Sequence, residues 1–160
     1  MFLKQLEQES EVTRKMLSIA PADKFDWQPH PKSMTLGKLA THIAELPGWI
    51  TTAIETDGLD FAVNQRGSET ISSHSGLMEF FEKELARGRA SLQNATDADL
   101  LPNWTMRKGN YIISVRSKEE VVRMCVNQII HHRAQLGVFL RLLNVPIPGS
   151  YGQSADELGM

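Results

Sequence analysis

The amino-acid sequence predicts an all-α fold, a four-helix bundle with a long crossover between the second and third helices. Four long segments repeat apolar residues at steps of three and four, the spacing that gives a helix one buried face. A polar segment, residues 56–75, separates the second helix from the third and is too long for a tight hairpin. With 160 residues, 41% hydrophobic and 22% charged, the chain fits one globular domain covering residues 1–160.

The first two helices are predicted over residues 2–19 and 35–54. Pro21 ends the first, and the proline-bearing segment 25–33 that follows disfavours helix. The second helix carries a continuous apolar stripe. Pro47 falls inside it, removes one backbone hydrogen bond and predicts a kink about one turn past His42.

The other two helices are predicted over residues 75–95 and 117–143. Between them, residues 104–113 place β-branched and aromatic side chains on both sides of a Lys-Gly-Asn turn, which predicts a short two-stranded excursion before the fourth helix. Ser117 and Glu120, three residues apart, form the capping-box pattern that opens a helix. The segment after residue 143 contains two prolines and is expected to fold back over the bundle.

Charge and hydropathy exclude several classes of function. The formal net charge is −2, with 17 basic and 19 acidic residues scattered along the chain, so no basic surface for nucleic acid or an anionic membrane is expected. No stretch approaches the roughly 20 apolar residues of a membrane span, and the first residues lack the apolar core of a signal peptide. A cytoplasmic protein is therefore expected.

Two histidines on different helices are the candidate functional residues. His42 lies beside the apolar stripe of the second helix, and His132 occupies a core-facing position of the fourth. Gln128 precedes His132 by one helical turn and projects from the same face. Neighbouring helices lie roughly 8–10 Å apart, close enough for these side chains to meet over a metal ion. Two imidazoles and one amide would leave such a site open.

A second interpretation stays open, because a histidine on an apolar face is often only a hydrogen-bonded core residue. Gln128 is also an uncommon ligand for transition metals. Glu45, one turn from His42, either orients an imidazole or belongs to a solvated face. Trp49 either lines a pocket or packs in the core. His131 points about 100° away from His132 and is expected behind the ligands or at the surface.

Three segments together resemble the DinB-like superfamily of YfiT-like putative metalloenzymes. They are residues 39–49 around His42, residues 131–136 around His132, and residues 151–157 near the end of the chain. The resemblance spans residues 27–157. It implies a four-helix bundle with the long crossover, often dimeric, and a three-histidine site for nickel or zinc. Some members of the family act with low-molecular-weight thiols.

This chain departs from the family pattern at three positions. His42 matches the first ligand and His132 the last, but Gln128 stands where the pattern has the middle histidine. Gln153 replaces a usual proline and Ala134 a usual glycine, which concerns packing and turn geometry. The resemblance therefore implies a divalent metal, nickel or zinc, that is bound weakly or is absent because of Gln128.

The resulting hypothesis is a divalent-metal-dependent enzyme, a thiol-dependent transferase or a hydrolase, acting on a small molecule of unknown identity. No catalytic base is assigned. The alternative is a non-catalytic dimeric bundle with a degenerate metal site, acting as a binding or stress-response module. A homodimer is expected in either case, partly because the adjacent aromatics Phe80 and Phe81 diverge by about 100° on a helix and would not both face one core.

Overall fold

The computed structural model describes residues 1–64 and 71–160, and its four long helices confirm the predicted bundle. Each helix begins and ends within two residues of its predicted bounds. The capping box at the start of the fourth helix is present, since Ser117 and Glu120 each accept a hydrogen bond from the other's backbone N–H. The helices are α1 (Phe2–Ser18), α2 (Leu36–Glu55), α3 (His74–Asn94) and α4 (Lys118–Leu142).

A sheet of three strands packs at one end of the helices, and the predicted two-stranded excursion before the fourth helix supplies two of its strands. The strands are β1 (Gly58–Asp60), β2 (Asn103–Lys108) and β3 (Tyr111–Ser117), in the order β1-β2-β3. β2 and β3 form the expected antiparallel pair, and β1 joins β2 in parallel from within the crossover. Three residues are too few to show the alternation that predicts a strand. Residues 65–70 of the crossover lie outside the described residues.

Helix α2 contains Pro47 without ending there, and two glycines let it lie directly against α3. A Cβ atom on Gly88 would stand 2.2 Å from the carbonyl oxygen of Pro47. A Cβ atom on Gly48 would stand 1.6 Å from a carboxylate oxygen of the buried Glu84. Gly88, which no periodicity explains, is therefore required by the close approach of the two backbones.

The register between α2 and α4 is fixed where α2 ends and α4 begins. The buried Lys118 donates from Nζ to the carbonyl oxygen of Ile54 at 2.9 Å. Nearby, Nε1 of the buried Trp104 donates to Thr56 Oγ1 at 3.1 Å, which holds β2 against the same end of α2. At 1.5 Å per residue, His42 lies about 18 Å before Ile54 and His132 about 21 Å after Lys118. Antiparallel packing from this anchor therefore brings the two histidines side by side.

The aromatic pair on α3 does not provide the exposed surface on which the dimer expectation partly rested. Phe81 is fully buried, and Phe80 is partly buried and packs against the same core. Large exposed apolar side chains lie instead on β3, where Tyr111, Ile112 and Val115 are each more than half exposed. None of the helices in the described part of the chain is long and apolar enough to cross a membrane.

Candidate metal centre

The two predicted histidines meet between α2 and α4. The rings of His42 and His132 lie edge to face, with centroids 4.7 Å apart and an interplanar angle of 75°. Both side chains are only partly buried, and that of His42 keeps 31% of its surface exposed. The pair is therefore held by the bundle but remains accessible to a small solute.

Each imidazole is oriented through its Nδ1 atom by an acceptor three residues further along its own helix. Nδ1 of His42 donates to Glu45 Oε1 at 2.6 Å, and Nδ1 of His132 donates to Gln135 Oε1 at 2.8 Å. A carboxylate only accepts hydrogen bonds, so it fixes the proton of neutral His42 on Nδ1. The lone pair of each neutral ring then lies on Nε2. Histidines that bind metal ions are usually held in this way, by an outer acceptor at one ring nitrogen that leaves the other to the metal.

The surroundings of His132 favour its neutral form. Burial lowers the pKa of His132 below its ordinary value of 6.5, and repulsion from His42 and His131 adds to this effect, whereas the hydrogen bond to Gln135 opposes it. A neutral imidazole is the form that binds a metal ion. His132 is thus kept in the ligating form near neutral pH.

Gln128 and His131, two further predicted site residues, lie beside this pair in an open groove. The ring of His131 contacts that of His132, with centroids 4.9 Å apart. Gln128 and His131 both line a groove of about 470 Å³ that runs along α4 from the end of β3. In the described part of the chain, the carboxamide of Gln128 makes no hydrogen bond. It is therefore free to turn toward a ligand.

Trp49 lies further along α2 and is partly buried. Its ring packs near that of Phe61, with centroids 6.3 Å apart at an angle of 43°. Trp49 therefore takes part in the packing between α2 and the crossover, which agrees with the core alternative given for it in the sequence analysis.

The donor set fits a metal ion only in part. Among the described residues, no three His, Cys, Asp or Glu side chains come together as a metal-ligating group. The two Nε2 atoms supply the imidazole donors that nickel and zinc accept, and Gln128, one helical turn before His132, is the remaining candidate donor. Three such donors at most would hold an ion more weakly than three histidines.

Sequence reasoning gave Gln135 no role, although a signal for it exists. His42 and Glu45 stand three residues apart, and His132 and Gln135 repeat that spacing on the other helix. Side chains at this spacing lie on one helical face, so a polar acceptor at the third position after a predicted ligand is a candidate orienting group.

A second polar cluster, also without a role in the sequence analysis, surrounds the next residue of α4. The guanidinium of Arg133 is fully buried and pairs with Glu9 Oε2 at 2.7 Å. It also donates to Thr13 Oγ1 at 3.2 Å and to the hydroxyl of Tyr151 at 3.2 Å. The Tyr151 hydroxyl in turn donates to the carboxylate of Glu9 at 2.9 Å. This network ties the buried Arg133 of α4 to α1 and to the exposed Tyr151 of the C-terminal segment.

Comparison with known proteins gives the family from the sequence and the same fold from solved structures. The model of the DinB family matches residues 1–158. The chain is 24% identical over 160 residues to the uncharacterized protein YrdA of Bacillus subtilis strain 168, covering 98% of this chain and 89% of that protein. A crystal structure of a DinB-like protein from Bacillus cereus superposes with a TM-score of 0.74 and 23% identity, covering 94% of this chain and 95% of that one.

Two further solved structures of the same fold carry functional descriptions. YfiT from Bacillus subtilis, a probable metal-dependent hydrolase with an unusual four-helix bundle topology, superposes with a TM-score of 0.66 and 13% identity, over 91% of this chain and 87% of that one. A mycothiol-dependent maleylpyruvate isomerase superposes with a TM-score of 0.62 and 16% identity, over 85% of this chain and 59% of that one. At these identities the similarity shows the fold alone.

Proposed function

Since this chain belongs to the DinB family, we propose that it is a metal-dependent hydrolase in which His42 and His132 bind one divalent ion. The observation that carries this proposal is the orientation of the two rings. Both Nδ1 atoms are bonded to an acceptor, which leaves two Nε2 atoms on adjacent rings for a common ligand. Nickel and zinc are among the ions that suit imidazole donors.

A bound divalent ion supplies Lewis acidity, which makes a water or thiol nucleophilic near neutral pH. The residues of the chain orient the two imidazoles and the substrate. Glu45 holds the His42 proton at Nδ1, and Gln135 does the same for His132. Gln128 presents a carboxamide to the groove, where it either acts as a third donor or orients a polar substrate. No general base is assigned, because the carboxylate of Glu45 already accepts a hydrogen bond from His42.

The class of reaction is proposed by analogy with proteins of the same fold. YfiT, described as a probable metal-dependent hydrolase, supports hydrolysis. The mycothiol-dependent isomerase supports a second possibility, in which a low-molecular-weight thiol takes the place of water. In both cases the proposed substrate is a small molecule rather than nucleic acid, since the net charge of −2 provides no surface for a phosphate backbone. We also propose a cytoplasmic homodimer.

A non-catalytic binding module is the second candidate, and Gln128 is the observation that favours it. An amide in place of a third histidine lowers the affinity for nickel or zinc, and a sufficiently weak site stays empty in the cell. The two candidates differ in whether the purified protein acquires a metal and gains activity from it.

The test uses protein purified without a histidine tag. It is incubated with nickel or zinc, freed of excess ion, and measured for bound metal and for hydrolysis of a neutral p-nitrophenyl ester. We expect up to one ion per chain and metal-stimulated hydrolysis, with both lost in His42→Ala and His132→Ala. His30→Ala serves as the matched control, since His30 lies in an exposed loop, where its ring accepts a hydrogen bond from the backbone N–H of Lys32. Equal metal content in the control and in both site variants would contradict the proposal.

A further inference from the structure

The groove along α4 contains polar side chains that the metal centre does not use. At one end lies Arg116, the arginine of β3, and at the other end lie Gln128 and His131. A volume of about 470 Å³ is within the range of small-molecule sites. The remaining lining residues are Glu120, Arg123, Met124 and Asn127.

The guanidinium of Arg116 has little to bind within the chain. Its one hydrogen-bond contact in the described residues is from Nη1 to the sulfur of Met124 at 3.9 Å, a weak acceptor. Its charge acts on Glu120 only through space. Most of its five N–H donors are therefore available to a ligand.

The other charged groups of the groove are already engaged. Arg123 donates to Glu119 at 2.5 Å and lies over the ring of Phe2, 5.2 Å from its centroid. Glu120 accepts hydrogen bonds from the backbone N–H and the hydroxyl of Ser117 as the cap of α4. Arg116 is thus the one charged lining residue whose partner is missing from the described part of the chain.

The uncharged polar side chains of the groove lie in its middle and at the end away from Arg116. Within the described residues, the carboxamides of Asn127 and Gln128 have no hydrogen-bond partner, and His131 contacts only the ring of His132. The guanidinium of Arg116 lies beside the sulfur of Met124, and from Met124 to Gln128 the helix rises about 6 Å. A ligand of about 10 Å would reach from the guanidinium to the carboxamides.

We propose that this groove binds an elongated small molecule with a carboxylate at the Arg116 end and an amide or similar polar group beside Asn127 and Gln128. A carboxylate matches the planar fork of one guanidinium. A phosphate dianion fits less well, because Arg123 is engaged and the carboxylate of Glu120 shares the groove. If the amide end of this molecule is the end that reacts, that inference rests on the proposed function of the histidine pair. The binding of its carboxylate by Arg116 does not depend on that function.

The test titrates ¹⁵N-labelled protein with 6-acetamidohexanoate, which carries a carboxylate and an amide about 10 Å apart, and follows backbone amide shifts. The neutral 6-acetamidohexanamide is the matched probe. We expect saturable shifts along residues 116–131 with the carboxylate and at least about tenfold weaker binding of the neutral probe. Arg116→Gln should lose that preference and bind both probes weakly.

Two control variants separate this proposal from general charge and from the metal centre. Lys108→Gln removes one positive charge from an exposed position of β2 outside the groove and should leave binding unchanged. His132→Ala should keep binding of the carboxylate while losing metal, so failure of the metal site and failure of the groove are distinguishable. Equal affinity of the two probes, or unchanged binding of the carboxylate by a folded Arg116→Gln protein, would overturn the proposal.

Discussion

His132 and Arg133 are neighbours on α4, yet the helix turns them into opposite kinds of surroundings. His132 faces α2, is partly exposed, and has one ring nitrogen bonded to Gln135 while its ring lies edge to face with that of His42. Arg133, rotated by about 100°, faces α1, is 2% exposed, and is bonded to Glu9, Thr13 and Tyr151. The polar groups around Arg133, the closed side of α4, bond to one another and stabilise the fold. The histidine pair, the open side, keeps ring nitrogens available to a ligand.

The largest effect is expected on the closed side. Arg133→Met leaves the carboxylate of Glu9 buried without its counter-charge, so the free energy of unfolding should fall by about 3–5 kcal/mol. Urea denaturation measures this change. The double variant Glu9→Met/Arg133→Met should recover much of the loss, because both charges are then absent. A loss below about 1 kcal/mol in the single variant would show that the cluster is not a stabilising one.

Removing one hydroxyl from the same cluster should have a smaller effect. Tyr151→Phe leaves the ring but removes the hydrogen bonds to Glu9 and Arg133, and should lower the free energy of unfolding by about 1.5 kcal/mol. Tyr111, which is exposed on β3, provides the matched control, and Tyr111→Phe should change stability by less than about 0.5 kcal/mol. Equal effects of the two variants would argue against a role for the hydroxyl of Tyr151.

The open side should tolerate substitution in the metal-free protein. His132→Ala removes a partly exposed ring and one hydrogen bond, so the free energy of unfolding should fall by no more than about 1 kcal/mol. The same urea series that measures Arg133→Met gives this value. A loss as large as that of Arg133→Met would mean that the two neighbours have the same structural role.

The smallest effect concerns the C-terminal segment and depends on pH. Hydrogen bonds from Arg141 and from the backbone N–H of Ile147 lower the pKa of Asp156 from 3.8 to about 2. A lowered carboxyl pKa contributes stability that is present above pH 3.8 and is lost as the pH falls toward 2. Asp156→Asn should therefore reduce stability at neutral pH and approach the wild-type value at pH 2. Parallel pH profiles of the two proteins between pH 5 and 2 would contradict this expectation.

The sequence predicts the open side better than the closed one, for a physical reason. His42, His132 and the capping box at Ser117 are local signals, because each depends on residues within one or two helical turns. The ion pair of Arg133 joins residues 124 positions apart, and no local periodicity carries that information. Long-range polar contacts are decided by how the helices pack.

The sheet and the register of the helices show the same limit. β1 has three residues and is stabilised by pairing with β2, about fifty residues later in the sequence, rather than by its own pattern. The contact of Lys118 with the end of α2 sets the heights of the two histidines, yet Lys118 stands in the sequence as one more charged residue near a helix start. The two histidines and their meeting between helices are thus predictable, but the contact that sets their heights is a property of the packed chain.

Gln128→His tests most directly the central claim that the chain has an open, weak metal site. The substitution adds a third imidazole on the face that already presents His132, and should tighten binding of nickel or zinc by at least about tenfold in a competition titration with a chromophoric chelator. Gln135→His adds an imidazole to the same helix but removes the acceptor of His132, and should not strengthen binding. The wild type should bind the ion weakly and Gln128→His more strongly. A folded Gln128→His protein with no bound metal would contradict it.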